Sequence, residues 1–277
     1  MTALTDKQFK EVTSFARQMR RDILKMVTDA KSGHPGGSLS ITDLLALLYN
    51  VEMNIDPMDS HRPNRDRLVL SKGHAAPGLY AALAGRGFFA KEELWHLRKI
   101  DAMLQGHPDM KHTPGVEMTT GSLGQGFSAA CGMALNAKLE NDLYHTFVIV
   151  GDGESQEGQV WEAAMFAGHY KLDTLTAFID FNGLQIDGKI TDVMSPLPLP
   201  DKFRAFNWHT VEVDGHDINA LHEAITEARE TKTMPTAIIM KTVKGKGIRE
   251  MENQAGWHGK APSLEEYNLY IKELEDE

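Results

Sequence analysis

Apolar and polar residues recur along this chain with two different periods. Over residues 6–30 the apolar positions return every three to four residues, the spacing of an amphipathic helix, and predict one long helix. The segment "KSGHPGGS" (31–38) reads as a loop. A helix running through Tyr49 is expected after it, with Ser40 or Thr42 as its capping hydroxyl. Short apolar runs follow another rule. "TFVIV" (146–150), "LTAFID" (175–180) and "TAIIMKTV" (236–243) do not alternate, as expected of strands covered on both faces. "RLVLS" (67–71) and the more polar "HTVEVDG" (209–215) add two further strands. Helices are expected at 121–140, 158–170 and 217–230, the first opened by glycine and rich in small residues. "VMSPLPLPDKF" (193–203) reads as a loop between elements, and "SLEEYNLYIKELEDE" as an acidic amphipathic helix packed on the rest.

Strands separated by helices pair in parallel through right-handed crossovers. The expected fold is therefore α/β: a doubly wound, mostly parallel sheet with helices on both faces. Neither an internal repeat nor a low-complexity linker divides it, so one domain over residues 1–277 is expected.

Composition narrows the function. The chain is 42% hydrophobic and 25% charged, ordinary for a globular protein, and its net charge is −10. No run of Lys or Arg forms a basic stripe, which argues against nucleic acid as a partner. Cys131 is the only cysteine, so no internal disulfide can form and a reducing compartment is expected. "MTALTDKQFK" lacks the apolar core of a signal peptide, and "ITDLLALLYNV" is short and broken by Asp43. A soluble cytoplasmic chain with no membrane span is the expectation. The initial Met and the acidic tail favour a whole chain over a truncated one.

The segment "FVIVGDGESQE" (147–157) poses the chemical question. An apolar strand runs into a Gly-X-Gly turn before a helix, as in a phosphate loop, yet the middle residue is Asp152 and Glu154 and Glu157 follow. A loop that cradles phosphate directly should offer N–H groups and a Lys or Arg. The pattern resolves if a divalent cation stands between protein and diphosphate. In an open parallel sheet ligands bind beyond the carboxyl ends of strands. Asp152 follows one strand and Asn182 follows the next, which brings two hard oxygen ligands to one sheet edge. Such ligands suit Mg²⁺, with Ca²⁺ or Mn²⁺ as alternatives. Gly151 and Gly153 let the backbone approach closely, and the following helix N-terminus adds a favourable field. Alone, Gly-Asp-Gly is a common turn and Asn a common turn residue. The ensemble of Gly-Asp-Gly, helix, buried strand and Asn is specific: it is the thiamine-diphosphate fingerprint.

The sequence resembles the N-terminal, diphosphate-binding half of transketolase. The resemblance runs in order through "KSGHPGGSLS", "LSKGHAAPGLY", "QGHPD", "TTGSLGQG", the fingerprint, "KTVKGKGI" and "WHGKAP". It implies that Asp152, Asn182 and the carbonyl of Leu184 bind the cation, and that Gly153 contacts the diphosphate. It further implies that His74, Gly121, Ser122, Leu123 and Ile186 line the cofactor cleft. His34, His107 and His258 would share proton transfers and hydrogen bonds to the ketose, His258 also reaching the cofactor. Glu157 and Glu162 would join an acidic cluster linking two cofactor sites, and Lys244 would stand near the mouth. Imidazole suits proton traffic near neutral pH, and the cofactor acts as electron sink for carbon–carbon cleavage.

Most of the 12 histidines carry no such implication. His61, His96, His112, His145, His169, His209 and His222 are read as surface or core residues, and for His216 a structural role is at least as good a reading. A zinc site built from His34, His74, His107 and His258 is disfavoured because none of the four is spaced as a ligand pair within one element. Two departures from the family stand out: Ser122 replaces the usual Pro, and "WHGKAP" carries an extra Lys260.

The family's pyrimidine-binding and C-terminal domains have no counterpart in these 277 residues. The resemblance therefore implies one subunit of a split enzyme, completed by a separate C-terminal subunit in an α2β2 assembly. Its reaction would be ketol transfer between sugars or sugar phosphates, as in the pentose phosphate pathway. A dihydroxyacetone-type or deoxyxylulose-phosphate-type synthase, a specialised catabolic sugar transketolase and a non-catalytic cofactor binder are the alternatives. The four histidines in matched motifs favour catalysis.

Overall fold

The structure, a computed structural model, describes residues 3–186 and 188–276. The long amphipathic pattern forms α1 (Asp6–Ala30), closed by Thr5. The Thr5 hydroxyl accepts from the Gln8 N–H at 3.2 Å, and the Gln8 side chain accepts from the Thr5 N–H at 3.0 Å.

The next segment departs from expectation. Part of the loop at 31–38 is helical: Pro35, whose fixed φ suits a first helical turn, opens α2 (Pro35–Leu39). The following helix, α3 (Thr42–Leu47), ends before Tyr49 and passes into a wider turn at Leu48–Glu52. Neither expected hydroxyl caps it. Its first flanking residue is Ile41, because the Ser40 hydroxyl donates to Asp180 at 2.7 Å and that of Thr42 to the Ser38 carbonyl at 3.0 Å. Tertiary partners outcompete the local cap.

All the expected strands form, and they pair in parallel. They are β1 (Arg67–Leu70), β2 (Thr146–Gly151) and β3 (Leu175–Phe181), then, after the two-residue ribbon strands β4 (Leu184–Gln185) and β5 (Gly188–Lys189), β6 (His209–Asp214) and β7 (Thr236–Lys241). The sheet order is β1-β2-β3-β7-β6, with Gly151 beside Asp180 and Asp180 beside Met240. The connecting helices are α4 (Ala76–Gly85), α5 (Gln125–Glu140), α6 (Gly158–His169), α7 (Ile190–Met194), α8 (Leu199–Ala205) and α9 (Ile218–Glu230), followed by α10 (Leu264–Asp276). The Pro-rich stretch is thus not loop throughout, since it starts α8 with Pro at the first turn.

Alternate strand residues feed two separate cores. Phe147, Ile149, Phe178, Ile238 and Met240 face α1, α3, α4 and α9, while Val148, Val150, Ala177, Ile179 and Ile239 face α5, α6 and α8. This two-sided burial explains the non-alternating strand sequences. On the second face α6 packs so tightly that a Cβ on Gly168 would lie 1.7 Å from the Phe206 carbonyl oxygen. α10 rests on α1: Tyr270 and Leu274 are buried, and Arg21 donates to the Leu274 carbonyl at 2.8 Å. Among the described residues no helix is long and apolar enough to cross a membrane.

Candidate functional site

The carboxyl ends of β1, β2, β3 and β7 open into a cleft of about 420 Å³. Its floor is built by the acidic turn. Asp152 is 2% exposed and sits immediately after β2. Its carboxylate accepts from the Gly153 N–H at 2.8 Å and from the Gly183 N–H at 2.6 Å, so two strand ends are tied through one side chain. Asn182 follows β3; its Nδ2 donates to Asp180 at 3.0 Å and its Oδ1 accepts from the Leu184 N–H at 3.1 Å. Asp152, Asn182 and Leu184 all line the cleft. Burial, and then the charge of Asp180, push the Asp152 carboxyl up to about 7.

Three imidazoles form a triangle in the same cleft. Ring centroids of His34 and His74 are 5.2 Å apart, those of His34 and His258 5.3 Å, and those of His74 and His258 5.1 Å. Each comes from a different segment: the turn before α2, the single helical turn after β1, and the segment after Trp257. His107 stands beside them on a loop held by Tyr80, whose hydroxyl lies 2.9 Å from the Gln105 carbonyl and 3.0 Å from that of His107. Gly121, at φ 152°, lets that loop close: a Cβ there would lie 3.1 Å from the His107 ring.

Burial depresses every one of these imidazoles. His34 is lowered to about 4, chiefly by burial and then by Arg98, His107 and Lys244. His258 falls to about 3 through burial, Lys244 and His34, and His74 lies well below its ordinary value through burial and Lys72. His107 is lowered as well, by burial and Arg98. The cluster is therefore neutral at neutral pH, able to accept or donate a proton at each ring. Lys244 lies deeper than a mouth residue: it is 2% exposed, with Nζ 3.0 Å from His258 Nδ1 and 3.5 Å from the Leu184 carbonyl. Burial and the neighbouring Lys72 lower it to about 8.

The cleft also gathers Gly121, Leu123, Gly153, Glu157 and Ile186. Ser122 and Glu162 lie outside it: Ser122 is exposed on the turn before α5, and Glu162 is exposed on α6. His216 has a structural place, with Nδ1 2.8 Å from Asp43 and Nε2 accepting from the Val243 N–H at 2.9 Å. Three further buried groups line the cleft: Glu154, marked in the sequence only by its place in the acidic turn, and Lys72 and Asp180, which carried no expectation. Lys72 and Asp180 pair at 2.6 Å, and Glu154 accepts from Ser71 Oγ and the Gly124 and Gly151 N–H groups. Lys72 stood in the motif "LSKGHAAPGLY", and Asp180 was the lone charge in an apolar strand; either signal could have marked them.

Residues 11–274 match the family described as the thiamine diphosphate binding domain of transketolase. The chain belongs to the transketolase family. It is 47% identical over 262 residues to the 6-deoxy-6-sulfo-D-fructose transketolase subunit SqwG of Clostridium sp. (strain MSTE9), covering 95% of each chain. To one of the apulose-4-phosphate transketolase subunits of Phocaeicola vulgatus its identity is 39% over 257 residues, covering 93% of this chain and 91% of that one. Human transketolase is 44% identical over 254 residues, but these cover 88% of this chain and only 39% of the human protein. A solved transketolase from Leishmania mexicana superimposes with a TM-score of 0.89 at 31% identity, over 95% of this chain and 41% of that one. The chain therefore has the length of the transketolase subunits it matches and spans about two fifths of the long transketolases.

The transketolase cofactor and its cation can be tested against these residues. Among the described residues no three His, Cys, Asp or Glu side chains converge as a metal-ligand set. The candidate set is one carboxylate, one amide oxygen and one carbonyl, all hard oxygens that leave further positions for water and phosphate. A cation there would offset the buried Asp152 charge, which burial and Asp180 otherwise disfavour. The residues fit.

Proposed function

We propose that this chain is the N-terminal subunit of a split transketolase. With a separate C-terminal subunit, it transfers a two-carbon ketol unit from a ketose to an aldose. The observation that carries the reading is the meeting of Asp152, Asn182 and Leu184 with three neutral imidazoles in one cleft. Asp152, Asn182 and the Leu184 carbonyl would hold Mg²⁺, or Ca²⁺ or Mn²⁺ in its place, and the cation would hold the diphosphate. Bound thiamine diphosphate supplies an electron sink for breaking a carbon–carbon bond beside a carbonyl.

The chain's own residues do the rest. His34, His107 and His258, neutral in the cleft, take protons from sugar hydroxyls and return them to the product oxygens. His74 and Leu123 close the cofactor wall, and Lys244 donates to His258, orienting its ring. Glu157 and Glu162, both exposed, would join the acidic cluster that links two cofactor sites in the assembly.

The substrate is a ketose or ketose phosphate, and a specialised catabolic sugar is the form that the subunit-length relatives favour, one acting on a sulfosugar and one on apulose phosphate. An α2β2 assembly in the cytoplasm completes the proposal. The test is isolation of the untagged complex from native cells, followed by its mass and the identity of any stoichiometric partner. A second chain of comparable size supports the split enzyme, whereas a homodimer that lacks one overturns it.

A further inference from the structure

Deep in the cleft wall lies a charge pair that makes no hydrogen bond to the candidate cation-ligating oxygens. Lys72 is 2% and Asp180 0% exposed, and their charged atoms are 2.6 Å apart. Removing two charges from water costs more than a lone ion pair returns, so such a pair persists where further hydrogen bonds satisfy it. Here they do. Asp180 accepts from Ser40 Oγ at 2.7 Å, from Asn182 Nδ2 at 3.0 Å and from the Thr242 hydroxyl. Lys72 donates to the Gly37 carbonyl at 2.7 Å.

Each of these bonds ends on a segment that carries a cleft residue. Gly37 lies in α2, which begins next to His34, and Ser40 directly follows it. Thr242 precedes Lys244, and Asn182 supplies a candidate cation ligand. Asp180 also settles which way the Asn182 amide points, because its Nδ2 is committed to the carboxylate and its oxygen is turned away. Lys72 stands under the imidazoles: Nζ and the His74 Nε2 would each lie 3.7 Å from a Cβ on Gly37.

We propose that Lys72 and Asp180 are positioning residues. They register the ends of β1, β3 and β7 against α2, and so hold Asn182, His34 and Lys244 in one geometry. The inference rests on the cofactor reading above, but it concerns how this chain orders its own loops. A merely structural pair would contribute stability and nothing else.

The experiment separates the two roles in the full chain. Lys72→Met with Asp180→Asn removes both charges while keeping most of the volume, so that no lone charge is left buried. The expected result is a melting temperature close to the native one. Affinity for Mn²⁺ with inorganic diphosphate, read by electron paramagnetic resonance, falls about 10- to 100-fold, the range typical of groups that orient a metal ligand. By NMR, His34, held low by burial, Arg98, His107 and Lys244 and not by Lys72, shifts its titration if α2 and Lys244 lose their register. A folded double variant with native affinity overturns the proposal. If the double variant does not fold, Ser40→Ala cuts one strut and leaves the charges paired. A smaller loss of affinity in the same direction supports positioning, and native affinity overturns it. Native chain that takes up no Mn²⁺ with diphosphate counts against the cofactor reading instead, and whether the His34 titration moves in the double variant then decides the positioning role.

Discussion

The ammonium of Lys244 donates to Nδ1 of His258 across 3.0 Å, which leaves the proton of that neutral ring on Nε2. Burial first, and Lys244 second, hold His258 at about 3 instead of the ordinary 6.5. Lys244→Met removes the cation but not the burial. His258 should then titrate higher, by about one pH unit, while staying below its ordinary value. Imidazole resonances followed from pH 8 to pH 3 would show it. A His258 curve that does not move would mean that Lys244 has no electrostatic hold on the ring.

Cation uptake should expel protons. The Asp152 carboxyl lies at about 7 against an ordinary 3.8, so near and below neutrality a proton competes with the cation for the same oxygens. Affinity therefore weakens as pH falls from 8 to 6, whereas a carboxylate already ionised at pH 5 would leave it unchanged over that range. Calorimetry in two buffers of different ionisation enthalpy measures the released protons directly.

Asp152→Asn and His34→Ala should fail in different ways. The first removes an anionic ligand, and cation-dependent diphosphate binding falls by more than about 100-fold, beyond the loss typical of residues that only orient ligands. The second leaves binding within a few-fold of native while turnover in the assembled enzyme drops about 10²- to 10⁴-fold. Equal loss of binding in both variants would contradict the assignment of His34 to proton transfer.

Gly168→Ala tests the packing that places α6, and with it the acidic turn. Its added Cβ would sit 1.7 Å from the backbone oxygen of Phe206, which no side-chain rotation relieves. A loss of about 3 kcal/mol or more in urea unfolding is expected, with the chain failing to accumulate at 37 °C as the extreme outcome. Gly132→Ala, where a Cβ meets nothing within 4 Å, is the control and should leave stability unchanged or improved.

β2, β3 and β7 were legible in the sequence because burial on both faces leaves nearly unbroken apolar runs, with Asp180 the one buried charge inside them. The acidic turn was legible because Asp152 breaks the rule for a phosphate loop. Long-range polar contacts left no periodic trace. Ser40 looks like a helix cap in the chain, yet its hydroxyl serves Asp180, 140 residues away. Lys72 and Asp180, 108 residues apart, meet only once the sheet order is known. Local rules also misjudged α8, since a Pro that ends one segment can open the next helix. Lys244 sits deep in the cleft because β7 is inserted between β3 and β6, an order that hydropathy does not encode.

That insertion has a consequence for synthesis. β6 emerges from the ribosome before β7, the one strand it pairs with among the described residues, and β3 has an open edge until β7 is made. A nascent chain lacking residues 236–241 exposes two unpaired strand edges and has no route to a native sheet by local pairing. Such edges are templates for association with other chains. β7 is thus the keystone of strands made before it, and termination ahead of residue 236 should yield aggregate in place of a smaller working domain.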